Sequence, residues 1–264
     1  MSVATGDLLA TIVAATRRIV AVREQKRPRS AVERKISHLP RGDAFVSVLR
    51  HAPAPRVIAE CKRRSPSKGI LRRDYDAPAH AQGYAAAGAA AISVLTEPTF
   101  FDGSLEDLRN VRKVVDLPLL RKDFIVSEYQ LFEAVEAGAD AALLIVGALS
   151  DDELRRLMRR ASAMGLAALV EVHDEGELQR ALDARATVIG VNSRNLRTLE
   201  VDLTVLDRIA AALPSTVTAV AESGIRSAAD MERLQQAGYH AFLVGERLIG
   251  QPDPGAALRE LRGA

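Results

Sequence analysis

The sequence predicts an α/β fold, a (β/α)8 TIM barrel behind an N-terminal helical extension, on three observations. Eight short apolar or β-branched runs start on average about every 26 residues, the size of one strand–helix unit. Stretches with helical spacing separate them. The length of 264 residues suits a closed barrel, typically about 250. An open doubly wound sheet would need a glycine-rich turn after its first strand. Here that strand runs into Lys62-Arg63-Arg64-Ser65-Pro66 instead.

Residues 1–55 are expected to form the extension and residues 56–264 the barrel core, together one domain. The extension holds a helix over Leu8–Gln25 and a break at Pro28. Such a segment can cover one end of a barrel or form an oligomer contact, which leaves monomer and homodimer both open. Strands are predicted at Val57–Cys61, Ala90–Leu95, Pro118–Leu120, Ala141–Val146, Leu166–Val170, Thr187–Val191, Val217–Ala221 and Ala241–Val244. Helical spacing covers Leu105–Val115, Glu128–Ala137, Asp152–Met164, Glu175–Leu182, Leu203–Leu213 and Ala228–Ala237. Ser104, Ser127, Ser150 or Asp151, and Ser227 stand where helices start. Gly88, Gly138, Gly165 and Gly238 stand where they stop.

Composition narrows the function. One cysteine, Cys61, rules out an internal disulfide framework, and its parity turns it toward the helix layer as a small core residue. Five scattered histidines offer no tight ligand pair, so a protein-built metal site is not expected; no cofactor is expected. No apolar run approaches the roughly 18–20 residues that span a bilayer. Leu8–Ala15 follows Asp7 and runs into Arg17-Arg18, an amphipathic helix and not a signal peptide. A cytoplasmic protein without membrane contact is expected. Residues 1–73 carry 17 Lys/Arg against 5 Asp/Glu, net +12, and the remaining 191 carry 19 against 29, net −10. Nucleic-acid binders interleave such charge with stacking aromatics, yet the only aromatic before residue 74 is Phe45. Nucleic acid is therefore not expected, and most of Arg17–Arg50 reads as a solvated face.

Chemistry gathers where a barrel keeps it, at the C-terminal strand ends. Glu60 and Lys62 close the first strand on one face. Lys122 ends the third strand, Glu171 the fifth, Asn192 the sixth, and Glu222 and Ser223 the seventh. The i, i+2 pairs Leu120/Lys122, Leu169/Glu171 and Gly190/Asn192 point each polar group inward above an apolar layer. One charged strand end is often just the first solvated position. Two lysines and three glutamates at four strand ends indicate acid–base chemistry, because buried Lys–Glu pairs tune each other's pKa. Gly224 after the seventh strand and Gly245 after the eighth stand where barrels often bind phosphate, although each could simply turn the chain.

The run Val57-Ile58-Ala59-Glu60-Cys61-Lys62-Arg63-Arg64-Ser65-Pro66-Ser67-Lys68-Gly69 resembles the signature of the indole-3-glycerol phosphate synthase family. Leu120-Arg121-Lys122-Asp123-Phe124, Leu169-Val170-Glu171-Val172-His173, Gly190-Val191-Asn192-Ser193-Arg194-Asn195-Leu196, Ala221-Glu222-Ser223-Gly224-Ile225 and Phe242-Leu243-Val244-Gly245-Glu246 resemble further family segments in the family's order. Cys61, in place of a larger apolar residue, and Ser193, in place of a second Asn, depart from the pattern.

The resemblance implies a carboxy-lyase of tryptophan biosynthesis acting on a small anionic substrate, 1-(2-carboxyphenylamino)-1-deoxyribulose 5-phosphate. It implies Lys122 as the acid on the ketone oxygen and Lys62 as a partner of the substrate's anionic groups. Glu171 and Glu60 would serve the dehydration, Asn192 would hold the developing hydroxyl or the ring, and Ser223 and Glu222 would support the site. Gly224, Gly245 and the amide of Glu246 would hold the phosphate, with Arg194 and Ser65 as secondary anion contacts and Phe101 as a wall for the aromatic ring. The rivals are phosphoribosylanthranilate isomerase, which usually works with a Cys/Asp pair, and a non-catalytic phospholigand barrel.

Overall fold

A computed structural model describes residues 7–263; residues 1–6 of the predicted extension and residue 264 lie outside the described residues. Eight parallel strands close into a barrel: β1 (Val57–Cys61), β2 (Ala91–Leu95), β3 (Leu119–Lys122), β4 (Ala141–Ile145), β5 (Ala167–Val172), β6 (Val188–Asn192), β7 (Thr218–Glu222) and β8 (Ala241–Val244). Each pairs with its sequence neighbour, and β8 closes on β1 in the register Val57↔Phe242. This is the (β/α)8 architecture expected.

Strands β3, β5, β6 and β7 reach one or two residues further toward their C-terminal ends than the apolar runs suggest. Lys122, Glu171, Asn192 and Glu222 therefore lie within strands, not just after them. Charge marks a chain as solvated only if water is the partner. In a barrel interior the partners are other side chains, so the ladder continues. Arg121 shows the same effect on the helix side of β3. It is fully buried, and its guanidinium donates to Asp123 Oδ2 at 2.7 Å and to the Gln130 carbonyl at 2.6 Å.

Local chemistry sets the helix boundaries. Ser104, Ser127, Ser150 and Ser227 each accept a backbone N–H as N-caps, the last two in capping boxes. Gly88, Gly138, Gly165 and Gly238 follow helix ends at φ of 81°, 92°, 75° and 109°, where a Cβ is disfavoured.

Strand alternation divides the core. Val57, Ala59 and Cys61 face the helices, with the Cys61 thiol 3.8 Å from the Ala77 carbonyl and pushed well up by burial. Ile58, Leu120, Leu169 and Val220 fill the barrel interior. The extension, helices α1 (Leu8–Lys26), α2 (Arg29–Glu33) and α3 (Gly42–His51), packs on both ends. From α3, Phe45 and Leu49 plug the floor against the interior cluster, and Gly42 lies so close to β5 that a Cβ would stand 2.5 Å from the Gly165 carbonyl oxygen. From α1, Leu9 and Ile12 join the same cluster, and the helix packs beside the turn Val146–Ala148 that follows β4.

The solvated face expected for Arg17–Arg50 is in part an ion-paired one. Arg17, Arg23 and Arg27 meet Glu153, Glu133 and Glu136 of the barrel helices at 2.9, 3.0 and 3.1 Å. Charge asymmetry along the chain thus joins the extension to the barrel. Among the described residues no helix is long and apolar enough to cross a membrane.

Candidate active site

Four alternate strands each place a charged side chain in one layer at the barrel mouth: Glu60 from β1, Lys122 from β3, Glu171 from β5 and Glu222 from β7. Alternate strands supply the layers of a barrel interior, and the layer beneath this one is apolar, with Ile58, Leu120, Leu169 and Val220 two residues earlier. The Lys122 ammonium donates to Glu171 Oε2 and to Glu222 Oε2, both at 2.6 Å, and each carboxylate is 1% exposed. Gly190 of β6 makes this possible, because a Cβ there would stand 2.1 Å from Glu222 Oε1.

Two carboxylates that share one ammonium cannot be equally charged. Burial pulls the Lys122 ammonium down, but Glu171 and Glu222 outweigh it and hold it above its ordinary value. Glu171 has a second cation in His173, 3.3 Å away, and despite burial it is held well below the usual carboxylate range. Glu222 has only its share of Lys122. Burial and the neighbouring Glu171 charge push it up to about 8. Mutual tuning, expected from the sequence, therefore moves Lys122 and Glu171 away from neutrality and only Glu222 toward it.

On the other side of the mouth Lys62 pairs with Glu60 at 2.9 Å, and Ser93 lies 3.4 Å from the other Glu60 oxygen. The loop after β1 folds into a two-stranded ribbon, Arg64–Ser65 against Gly69–Ile70. It brings Lys68 to Glu246 at 3.0 Å and Ser67 to Arg194 at 3.3 Å. Arg194 also reaches Glu246, at 3.2 Å. The Glu246 carboxylate thus faces three cations, Lys62, Lys68 and Arg194, which outweigh its burial and lower its pKa.

Two adjoining cavities contain these groups. One has Lys122, Glu171, Asn192 and Glu222 at its base and Phe101, Phe124, Leu196 and Leu199 among its walls. The second is lined by Ser223, Gly224, Gly245, Glu246, Arg194 and Lys68. Ser223 and Gly224 both have positive φ, 66° and 74°. The Ser193 hydroxyl donates to the Ser223 carbonyl at 3.2 Å, so the departure at Ser193 leaves this turn held. An apolar slot with an acid–base floor opening onto a cationic hollow suits an aromatic molecule with an anionic tail. Among the described residues no group of three or more His, Cys, Asp or Glu is arranged to hold a metal ion.

A sequence profile described as indole-3-glycerol phosphate synthase matches residues 9–261. The chain belongs to the indole-3-glycerol phosphate synthase family. It is 49% identical to the indole-3-glycerol phosphate synthase of Parafrankia sp. (strain EAN1pec) over 94% of this chain and 92% of that one. With the synthase of Mycolicibacterium smegmatis it shares 48% identity over 99% and 95%. Solved barrels share the fold at lower identity. A 3-hexulose-6-phosphate synthase matches with a TM-score of 0.62 at 19% identity, covering 79% of this chain and 98% of that one. An N-acetylmannosamine-6-phosphate 2-epimerase from Clostridium perfringens gives 0.60 at 14%, covering 77% and 90%.

Within this synthase-family barrel, the first cavity gathers Glu60, Lys62, Ser65, Phe101, Lys122, Glu171, Asn192, Arg194, Glu222, Ser223 and Glu246, and the second adds Gly224 and Gly245. Sequence reasoning missed Lys68, Phe124 and the pair His173–Glu177. Lys68 sits in a basic loop with no period to orient it. His173 is two residues beyond Glu171, the same i, i+2 relation that singles out Lys122, but it lies past the strand end, where parity no longer fixes a side chain's direction.

Proposed function

We propose that this chain converts 1-(2-carboxyphenylamino)-1-deoxyribulose 5-phosphate to indole-3-glycerol phosphate, carbon dioxide and water. Family membership combined with one observation supports this most strongly: an ammonium held between two buried carboxylates at the base of an aromatic-walled cavity, beside a cationic hollow. The phosphate would lie in the hollow against Arg194, Lys68 and the backbone at Gly224, Gly245 and Glu246. It would displace the Glu246 carboxylate from the cations. The anilino ring would lie against Phe101, with Lys62 and Ser65 facing the anionic groups.

Ring closure joins the carboxylate-bearing ring carbon to the ketone carbon, and the ketone oxygen takes a proton. Lys122 is the donor. Its two carboxylate partners keep it protonated, the form this step requires. Carbon dioxide then leaves and returns its bonding pair to the ring, which regains aromaticity. In the last step the hydroxyl departs as water and the adjacent methylene gives up a proton. Glu171 and Glu60 are the acid–base groups for this dehydration, Asn192 holds the hydroxyl, and Glu222 and Ser223 fix the geometry around them. A phosphorylated, carboxylated substrate does not cross a bilayer unaided, which places the reaction where the substrate is made, here taken as the cytoplasm.

The test is turnover of this substrate by the purified protein, followed as carbon dioxide release and indole absorbance together. Both are expected in equal amounts. Turnover of phosphoribosylanthranilate in place of this substrate would support the isomerase instead.

A further inference from the structure

Glu171 is joined to a further, outer pocket, distinct from the two cavities above, through one imidazole. His173 Nε2 stands 3.3 Å from Glu171 Oε1, an ion pair and not an aligned hydrogen bond, and no other polar atom meets that nitrogen. On its far side Nδ1 lies 3.0 Å from Glu177 Oε2, the same oxygen that accepts the His173 backbone N–H at 2.9 Å. Glu177 is itself fixed. It occupies the first turn of the helix Glu175–Asp183, where its own N–H donates to the Asp174 cap at 2.8 Å. Gly147 leaves room for its carboxylate, since a Cβ there would stand 2.6 Å from Glu177 Oε1. His173 and Glu177 are 13% and 15% exposed, and Glu171 only 1%.

From this geometry we infer that His173, anchored by Glu177, is a positioning residue for Glu171: it holds Oε1, leaves Oε2 on Lys122, and keeps the carboxylate ionised and aimed into the cavity. The inference rests on the function proposed above, in which Glu171 is an acid–base group. An imidazole between two carboxylates is most stable with a proton on both nitrogens. Burial pulls His173 down, but Glu171 and Glu177 outweigh it and push it up to about 10. The other charged groups facing Glu171 are Lys122 and Glu222. Those lining the outer pocket around His173 are Asp174, Arg197, Glu200, Asp202 and Arg208. None of these five forms an ion pair with Glu171, whose cationic partners are Lys122 and His173.

The decisive variant is His173→Gln, which keeps a side-chain donor and removes the charge. Its kcat should fall by about tenfold with KM within about twofold, because a lost neighbouring cation acts on the base and not on substrate binding. The acid limb of the pH profile should rise by about one unit. Carbon-13 NMR of Glu171 should show its carboxyl titrating higher by a similar amount with no substrate present. Glu177→Gln should move both readouts the same way by less, and it carries the test if His173→Gln does not fold. An unmoved Glu171 titration in a folded variant overturns the inference, as does a fall in kcat with an unmoved acid limb. Wild-type turnover in the same assay is the control. An inactive wild type overturns the proposed reaction, and the NMR titration then decides the role of His173 alone.

Discussion

The Lys122 ammonium crosses from β3 to β5 to meet Glu171 at 2.6 Å, in a layer of the barrel interior where side chains are usually apolar. A buried pair of this kind does little for stability, since desolvation offsets most of the attraction. Its presence above a complete apolar layer is therefore a sign of chemistry. The arrangement assigns unequal charge to the two carboxylates around Lys122, and that inequality can be measured.

Glu222 binds its proton more tightly in the folded chain than in the unfolded one, with a pKa raised from 4.5 to about 8. Whatever stability this contributes is fully present below about pH 4.5 and is lost as pH rises through about 8. Glu222→Gln cannot ionise, so its melting temperature should gain on wild type steadily from pH 5 to pH 8.5. Thermal melts of the two proteins across that range check this. A constant difference would contradict the assignment.

The cationic hollow should accept a simple anion. Inorganic phosphate or sulfate at tens of millimolar is expected to compete with substrate. Arg194→Ala should raise both the inhibition constant and KM about tenfold, the loss expected for one charge-assisted contact, with kcat changed far less. Initial-rate inhibition patterns measure this directly.

Glu246→Gln should act in the opposite direction. Its carboxylate occupies the cations Lys62, Lys68 and Arg194, at 4.0, 3.0 and 3.2 Å. Removing that internal anion is expected to strengthen phosphate binding by a few-fold, read by calorimetry. Weaker binding would show that the carboxylate orders the hollow instead of competing for it.

At the floor, Asp140 is fully buried and accepts from the Arg41 and Leu119 backbone N–H groups at 2.9 and 3.0 Å and from Arg112 at 3.0 Å. Conserving shape while removing charge, Asp140→Asn should cost about 3–5 kcal/mol, the usual loss when one partner of a buried pair is removed. KM should not change, because the residue lies at the end of the barrel away from the mouth. Denaturant unfolding and steady-state kinetics on one preparation separate the two effects.

The barrel could be read from the sequence because each strand–helix unit repeats one local pattern, and the glycines and serines that end and start its helices act through their own backbone. Glu60, Lys62, Lys122, Glu171, Asn192 and Glu222 could be read because strand parity alone turns them inward. The places of Lys122, Glu171, Asn192 and Glu222 inside the strands could not, since a polar residue looks solvated until its partner across the barrel is known. Asp140 was hidden for the same reason, its partners Arg41, Arg112 and Leu119 lying on other elements. The basic extension looked like a free surface because Glu133, Glu136 and Glu153 are more than a hundred residues away along the chain.

The central claim is that Lys122 drives indole ring closure. The chain has no tryptophan, so indole fluorescence rises over a low protein background when the carboxyphenylamino-deoxyribulose phosphate is added. Wild type should give that signal. Lys122→Ala, folded by circular dichroism, should give it at least about a hundredfold more slowly, the low end for a lost general acid. Full activity in Lys122→Ala would contradict the account.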